Sequence, residues 1–295
     1  MEPRYGVITH NVVAMRAQPN GSAEQVSQAI LGESVLLLEE RGGYVHIQTP
    51  DAYEGWALRH HLRPYAPSEP HWPLAEPPAA QRMGLVSETF ACLFAGPGDH
   101  HPILTRLVFG TWALVLDRVR KADRKYLQVA VPGGTRAGAE DNRIAGYVYE
   151  EALLEPDSFR PFRGGTACVL AEWFIGTPYL WGGTTPFGFD CSGFVQRIYS
   201  ALGVTLPRDA YLQAKSPLGV PVPEGEPLQA GDLVFFCGDS DPRGRGITHV
   251  GMALDAKCFI HASDGDGVAI TPHDDPYYAR IYRGAWRYRP TEKSP

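Results

Sequence analysis

The chain has 295 residues, of which 44% are hydrophobic and 20% are charged, a balance typical of globular proteins. This length favours two domains and allows three small ones. The formal net charge is −6, and no Lys/Arg cluster suggests a nucleic-acid site. No apolar run approaches the length of a membrane span, so neither nucleic acid nor membrane is an expected partner.

The cysteines and the N-terminus indicate the compartment. The five cysteines are irregularly spaced, which does not make a disulfide framework, and their odd number fits a reducing environment. Residues 1–8 contain no hydrophobic signal core. The Cys and His residues also lack the paired close spacings of zinc sites. We therefore expect a cytoplasmic protein without a metal or cofactor, and we expect it to be a monomer.

The first 155 residues contain a degenerate repeat. Gly32–Leu38 recurs as Gly110–Leu116 at an offset of 78, and the Gly-Trp pair at 55–56 recurs as Gly-Tyr at 146–147 at an offset of 91. The growth of the offset indicates an insertion in the second copy, around 131–142. Each copy consists of short alternating strands separated by turn residues, a pattern that predicts a small all-β barrel or sandwich.

A single larger β-domain is the alternative to two small ones. The stretch Pro64–Pro78 argues against it, because its six prolines make it stiff and extended, as suits a spacer between modules. From Pro161 onward the pattern changes. It predicts a helix over 166–175 with Thr166 as a possible N-cap, and a second helix from Cys191 to a stop at Gly203.

Strands are expected after these helices. They fall at 232–237, 248–254, 258–262 and near 282–288. Helices on one side of an antiparallel sheet make an α+β domain. The expected domains are 1–66, a first β-module; 67–82, a Pro-rich linker; 83–158, a second β-module; and 159–295, the α+β domain.

Cys191 is the candidate nucleophile. It lies in Phe189-Asp190-Cys191-Ser192-Gly193-Phe194 at the start of a predicted helix, where the helix dipole and unpaired backbone N–H groups favour a thiolate. The Cys191 backbone N–H is also a candidate oxyanion-hole donor. The remaining cysteines lie in apolar runs and are interpreted as structural: Cys92, Cys168, Cys237 and Cys258.

Two histidines are candidates for the base and its partner. His249 and His261 lie in predicted strands with a turn near Asp255, and a hairpin centred on Asp255 would place the two side chains opposite each other. In this hypothesis Cys191 attacks a carbonyl, and His249 takes the thiol proton and later gives it to the leaving amine. His261 accepts a hydrogen bond from His249 and fixes its tautomer.

At these residues the chain resembles the NlpC/P60 family of papain-like cysteine peptidases, over roughly 161–290. The shared motifs are Tyr179-Leu180-Trp181-Gly182-Gly183, Asp190-Cys191-Ser192-Gly193-Phe194, Leu206-Pro207-Arg208-Asp209, Gly231-Asp232-Leu233-Val234-Phe235-Phe236, His249-Val250-Gly251 and Ile260-His261-Ala262. They occur in the family's order. The β-modules resemble bacterial SH3-like (SH3b) domains. The resemblance implies a papain-like α+β domain preceded by two small SH3-like barrels.

The resemblance also implies an activity. Family members mostly cut bacterial cell-wall peptides at γ-D-glutamyl bonds to a diamino acid. The subset with SH3-like modules acts on free murein tripeptides or tetrapeptides, during cytoplasmic recycling of the cell wall. In that subset the first module closes one end of the cleft, so that only peptides starting with a free L-alanine enter. Diaminopimelate and lysine are both open as the diamino acid.

Individual site residues follow from the resemblance. It implies that the Tyr179 hydroxyl is an oxyanion donor and that a substrate ammonium contacts Glu24 and Asp190, with Tyr53 closing the pocket. Arg208 and Asp209 match a pair that holds a substrate carboxylate, and Ser192 is placed among the substrate contacts. Many relatives have Ser or Thr after this Asp, where this chain has Ala210. From sequence alone, packing roles for Tyr179 and Tyr53 and a solvated Glu24 remain open.

Other functions remain open as well. The same fold hosts amidases and acyltransferases, and a cell-wall lysin would use the same chemistry on polymeric peptidoglycan. An adaptor with an inert C-terminal domain belongs to another class, but the complete set of Cys191, His249 and His261 argues against it. A metal site is the weakest alternative.

Overall fold

The computed structural model describes residues 3–65, 72, 82–133, 142–155, 162–239, 241 and 244–288. The chain divides into two compact units, Met1–Ser158 and Phe159–Pro295. Most of the predicted linker at 67–82 and of the predicted insertion at 131–142 lies outside the described residues. None of the helices in the described part has the length and apolar character needed to cross a bilayer.

The N-terminal unit contains two seven-stranded antiparallel sheets. The strands of the first sheet are β1 (Arg4–Ile8), β2 (Val12–Arg16), β3 (Gln25–Ile30), β4 (Ser34–Arg41), β5 (Tyr44–Gln48), β6 (Glu54–Leu58) and β7 (Leu62–Tyr65). Those of the second are β8 (Arg82–Val86), β9 (Phe90–Phe94), β10 (Ile103–Val108), β11 (Trp112–Lys121), β12 (Arg124–Pro132), β13 (Arg143–Tyr149) and β14 (Leu153–Leu154). A short 3-10 helix precedes the last strand of each, at Arg59–His61 and Glu150–Ala152.

The two sheets share one topology. The strand order is β3-β2-β6-β5-β4-β1-β7 in the first and β10-β9-β13-β12-β11-β8-β14 in the second, which is the same order with each label raised by seven. The repeat seen in the sequence is therefore a structural duplication. Both modules are all-β as expected. Their sheets stay open and do not close into barrels, because the described β3 pairs only with β2, and β7 pairs only with β1.

Alternating side chains build the core of each module. In β2 and β5 every second residue is buried, and Val13, Met15, Val45 and Ile47 point into the first core. A further cluster is shared by both sheets. It contains Trp72, whose indole N–H donates to the Trp112 carbonyl at 3.1 Å.

The C-terminal unit has helices packed on a six-stranded antiparallel sheet, so the α+β prediction is confirmed. Its helices are α1 (Gly164–Glu172), α2 (Cys191–Ala201), α3 (Ala210–Gln213) and α4 (Pro276–Ile281). A two-stranded ribbon is formed by β15 (Thr184–Thr185) and β16 (Gly188–Phe189). The large sheet has the order β17-β22-β18-β19-β20-β21, from β17 (Gly219–Pro221), β18 (Leu233–Phe236), β19 (His249–Ala253), β20 (Cys258–Ser263), β21 (Gly267–Pro272) and β22 (Tyr282–Tyr288).

Two local predictions differ from the structure. The helix α1 begins at Gly164, so Thr166 is not its N-cap. The first helical residue lies in a close tertiary contact that only glycine allows, since a Cβ on Gly164 would lie 1.7 Å from the Ala230 carbonyl oxygen. The strand β21 was not predicted at all. It is an edge strand that ends in Pro272, and only its first two residues are buried.

Candidate active site

Helix α2 begins at Cys191, as predicted, and is capped by the residue before it. The Asp190 side chain accepts a hydrogen bond from the Gly193 backbone N–H at 2.7 Å, which is the role of an N-cap residue. The apolar residues that follow turn inward, and Phe194 and Ile198 are fully buried. Cys191 itself is buried, with 8% of its surface exposed.

Gly193 lets the preceding loop approach the start of this helix. A Cβ at Gly193 would lie 2.1 Å from the Gly183 carbonyl oxygen, which a larger residue could not tolerate. In the same loop, the Gly182 backbone N–H donates to Oδ2 of Asp190 at 3.0 Å. These contacts of Gly182 and Gly183 therefore hold the loop that carries Tyr179 against the helix that carries Cys191.

Asp190 and Arg208 form a buried ion pair beside Cys191. Nη1 of Arg208 donates to Oδ1 of Asp190 at 3.0 Å, and Nη2 contacts Oδ2. The same Nη1 donates to the Ser192 hydroxyl at 3.0 Å. Arg208 is 2% exposed and Asp190 7%. Three of the residues expected to contact substrate thus contact one another around the nucleophile.

Asp209 has a different partner from Arg208. Its carboxylate lies 3.5 Å from Nη1 of Arg245, whose guanidinium also stacks 4.0 Å from the centroid of the Tyr211 ring. Arg245 belongs to the glycine-rich loop before β19. The two neighbours Arg208 and Asp209, expected to act together on a carboxylate, therefore serve separate clusters.

The hairpin of β19 and β20 has a register that differs from the prediction. Met252 pairs with Ile260, which places Gly251 rather than His249 opposite His261. The turn is longer than expected because the Asp255 side chain accepts hydrogen bonds from the backbone N–H groups after it, that of Lys257 at 2.7 Å among them. A shift of two residues preserves the face, so both histidines still lie on one side of the sheet.

Gly251 allows the two imidazoles to meet diagonally. A Cβ on Gly251 would lie 3.2 Å from Cβ of His261 and closer still to the Phe259 ring. In the space left by this glycine, Nε2 of His249 lies 2.8 Å from Nδ1 of His261. The other nitrogen of His261, Nε2, lies 2.9 Å from the Thr271 hydroxyl on β21.

Aromatic side chains surround this hydrogen-bonded chain. The Tyr278 ring packs edge-on against His261 at 4.9 Å between centroids, and it lies 5.9 Å from His249. Phe236 and Phe259 pack against Tyr278 and against each other. The hydrogen bond between the imidazoles is therefore enclosed, and His261 is only 1% exposed.

Burial controls the charge state of the site. It lowers the pKa of His249 to about 3, with the neighbouring His261 as the second cause. It also lowers the pKa of His261 to about 4, although Asp266 and Asp275 act in the opposite direction. Both imidazoles are therefore neutral near pH 7.

The Cys191 thiol is also neutral. Burial, followed by the charge of Asp190, raises the pKa of the thiol to about 12. The expectation of a lowered thiol pKa is wrong, because these two effects outweigh the helix N-terminus. The Val250 and Ser192 backbone N–H groups lie close enough to the sulfur to oppose them. Since Val250 follows His249 directly and α2 packs on β19, the sulfur lies beside the strand position of the base.

Tyr179 lies within electrostatic reach of the nucleophile. Burial is the largest cause that raises the pKa of its hydroxyl well above the ordinary value, and the charges of Cys191 and Asp190 add to it. The hydroxyl therefore stays protonated. A backbone bridge between Tyr179 and Phe189 holds this residue parallel to the segment that leads into α2.

Glu24 and Tyr53 belong to the N-terminal unit and lie at one end of its first sheet. Glu24 is exposed and directly precedes β3, while Tyr53 is half-buried and directly precedes β6. Both strands pair with β2 at Arg16, which faces Gln25 on one side and Trp56 on the other. The sheet thus brings these two predicted substrate contacts to the same end of the strands.

Sequence reasoning missed Thr271 and Tyr278. Thr271 lies on the strand that was not predicted, and Tyr278 lies on α4, which Asp275 caps by accepting from two backbone N–H groups. The Asp-Pro pair at 275–276 was the available helix-start signal. Within the described ranges, no group of three or more His, Cys, Asp or Glu side chains is arranged to hold a metal ion.

Comparison with known proteins gives matches to both parts of the chain. Residues 176–287 match the NlpC/P60 family, and residues 15–62 match the bacterial dipeptidyl-peptidase Sh3 domain. A gamma-D-glutamyl-L-lysine dipeptidyl-peptidase of Bacillus cereus (strain ATCC 10987) is 30% identical over 277 residues, covering 90% of this chain and 75% of the relative. The protein of the same name from Bacillus subtilis (strain 168) is 28% identical over 289 residues, covering 95% and 82%.

A solved structure shares the fold. The crystal structure of an NlpC/P60 family protein from Bacillus cereus ATCC 10987 matches 97% of this chain and 100% of that chain, with a TM-score of 0.76 and 23% identity. At this identity the likeness concerns the fold alone.

Proposed function

The chain belongs to the NlpC/P60 family and is a cysteine peptidase, and from this premise we propose that it hydrolyses the γ-D-glutamyl bond to a diamino acid in short murein peptides. The peptides would carry a free N-terminal L-alanine, and their cleavage would serve recycling of cell-wall material in the cytoplasm. The observation that carries the proposal is the 2.8 Å contact between His249 and His261 beside the strand that packs on Cys191. The relatives named for this activity support the choice of bond.

The geometry supports a defined sequence of steps. Nδ1 of His249 takes the thiol proton as the sulfur of Cys191 attacks the γ-carbonyl carbon. The resulting oxyanion accepts hydrogen bonds from the Cys191 backbone N–H and the Tyr179 hydroxyl. When the C–N bond breaks, His249 returns the proton to the α-amine of the departing diamino acid. His249 then takes a proton from water, whose oxygen attacks the thioester carbon, and as the C–S bond breaks His249 gives that proton to the Cys191 sulfur and L-Ala-γ-D-Glu is released.

The two neutral partners determine when the nucleophile is formed. A thiol with a raised pKa and an imidazole with a lowered one do not exchange a proton before substrate arrives. Proton transfer is then coupled to attack, and the imidazolium that forms is stabilised by its hydrogen bond to His261.

Recognition of the free amine falls to the N-terminal unit in this proposal. We assign Glu24 as the anionic partner of the L-alanine ammonium and Tyr53 as the residue that closes the pocket, and their support is that both lie at the same end of the first sheet. Asp190 already accepts hydrogen bonds from Gly182, Gly193 and Arg208, so it suits a positioning role better than binding of a second cation.

Ser192 and Arg208 act on the substrate through the same buried cluster. Arg208 makes three contacts with Asp190 and Ser192, and these contacts fix the two side chains around Cys191. Asp209 contributes by holding Arg245 near the start of β19. The ion pairs of Arg208 with Asp190 and of Arg245 with Asp209 therefore position the side chains that could contact a substrate carboxylate.

One set of digests tests the proposal. The protein is incubated with L-Ala-γ-D-Glu-L-Lys, with the diaminopimelate analogue, with both peptides acetylated at the N-terminus, and with intact peptidoglycan. We expect release of L-Ala-γ-D-Glu from the unblocked peptides only. Digestion of the polymer would favour a lysin instead, and cleavage of blocked and free peptides at equal rates would reject the amine pocket.

A further inference from the structure

We propose that Thr271 is a positioning residue that selects the tautomer of both active-site imidazoles, and so keeps Nδ1 of His249 free of a proton and able to accept one from Cys191. The inference deepens the proposed function and rests on it for the role of Cys191. It concerns a residue on β21, an edge strand that contributes no other side chain to the hydrogen-bonded chain described above.

The contacts form one continuous line. Nε2 of His249 lies 2.8 Å from Nδ1 of His261, and Nε2 of His261 lies 2.9 Å from Oγ1 of Thr271. Both distances are those of good hydrogen bonds. Every ring nitrogen in this line except Nδ1 of His249 thus has a partner on the neighbouring strand.

The sheet explains why a threonine reaches this position. In the register of β20 and β21, Thr271 pairs with Phe259 and Ala269 with His261, so Thr271 is the diagonal neighbour of His261 on the same face. Ile270 between them is 44% exposed and points to the opposite face. An inward-facing β-strand position normally suits valine. Threonine has nearly the same shape as valine but carries a hydroxyl in place of one methyl group.

A neutral imidazole carries one donor and one acceptor, which links the three side chains. If the Thr271 oxygen accepts from Nε2–H of His261, then Nδ1 of His261 accepts from Nε2–H of His249. His249 then has its lone pair on Nδ1. If both hydrogen bonds run in the opposite direction, Nδ1 of His249 carries the proton and cannot act as a base.

The surroundings of His261 make the loss of its Thr271 partner unfavourable. His261 is 1% exposed and packed between Phe259 and Tyr278, so its Nε2 has little access to water that could replace a lost partner. Without the threonine oxygen, the productive tautomer would bury an unsatisfied N–H group. The reversed tautomer would bury only an unpaired lone pair, which is the lesser penalty. Removal of the hydroxyl therefore shifts the pair toward the inactive tautomer.

The test compares Thr271→Val, Thr271→Ala and Thr271→Ser in the full chain. We expect kcat on L-Ala-γ-D-Glu-L-Lys to fall about 10- to 100-fold in the valine and alanine variants, with KM unchanged, and to stay within about threefold in the serine variant. Thr105→Val is the matched control, because it removes a hydroxyl hydrogen bond to Asn11 in the other unit. Its kcat should equal that of the unaltered protein.

A second readout needs no substrate. The ¹⁵N shifts of His249 in specifically labelled protein report which ring nitrogen carries the proton. We expect protonated Nε2 in the unaltered and serine variants, and a shift toward protonated Nδ1 in the valine and alanine variants. Unchanged His249 shifts in Thr271→Val, or in Thr271→Ala if the valine variant does not fold, would overturn the inference. Because this readout is independent of turnover, it separates failure of the inference from failure of the proposed function.

Discussion

The carboxylate of Asp190 accepts hydrogen bonds from both terminal nitrogens of Arg208 in the interior of the C-terminal unit. This pair matters for the chemistry because it fixes Asp190, which is the N-cap of the helix that presents Cys191. Its burial distinguishes it from the ion pair of Arg280 with Asp239, whose side chains are 56% and 67% exposed.

Removal of the buried cation should therefore be severe. We expect Arg208→Met to lower the free energy of unfolding by about 3–5 kcal/mol, because Asp190 would remain buried without its partner. Arg280→Met, which breaks the exposed pair, should cost less than about 1 kcal/mol. Urea unfolding of the two variants measures both values. Equal losses would show that the Asp190–Arg208 pair is not a buried structural element.

The two histidines should differ in their contribution to turnover. His249→Ala removes the base, and we expect kcat to fall by about 1000-fold or more. His261→Ala leaves the base in place and removes the acceptor that orients it, so the loss should be smaller. Steady-state kinetics on the tripeptide substrate checks the order. A larger loss for His261→Ala would reverse the proposed roles.

The lowered histidine pKa values predict how stability depends on pH. The pKa values of His249 and His261 are about 3 and 4 in the folded chain, below the value of about 6.5 for an unfolded histidine. The unfolded state therefore binds more protons, so this stabilisation is complete above about pH 6.5 and is lost as pH falls toward 4.

Thermal melts between pH 4 and 7.5 measure this loss. The melting temperature of the unaltered protein should fall with pH across the window, and His261→Asn should show a shallower fall. His100→Gln, which changes an exposed histidine of the N-terminal unit, is the control and should keep the original slope. Parallel curves for all three proteins would contradict the pKa assignment of His261.

Glu24 provides a test of amine selectivity. We expect Glu24→Gln to raise KM for peptides with a free N-terminus about tenfold or more while kcat changes little, because the ammonium loses its anionic partner. Discrimination against N-acetylated peptide should shrink at the same time. Glu39→Gln on β4, where the glutamate pairs with Arg41, is a matched control. Identical kinetics for both variants would remove Glu24 from the binding site.

The parts of the site that local sequence determines were predictable. Cys191 follows a capping Asp and precedes an apolar helical pattern, so its position in the first turn could be read from neighbouring residues. The alternation in the β-modules and the offset between their copies likewise predicted the duplicated all-β unit. These signals act within a few residues or repeat along the chain.

The remaining features depend on contacts between distant residues. The register of the β19–β20 hairpin is set by how the Asp255 side chain binds the turn, and the meeting of His249 with His261 depends on the empty space over Gly251. The thiol pKa depends on burial under elements that pattern alone does not place. No local signal indicates that Arg208 would pair with Asp190.

Catalysis by Cys191 is tested most simply by detection of a thioester on this residue. The protein is mixed with L-Ala-γ-D-Glu-L-Lys, quenched in acid within the first turnovers, and analysed by mass spectrometry of the intact chain and of its fragments. We predict a mass increase of one alanyl-glutamyl acyl group, located on Cys191 and absent from Cys191→Ala, which should release no dipeptide. Release of the dipeptide by Cys191→Ala, or an acyl group on another residue, would rule out Cys191 as the nucleophile.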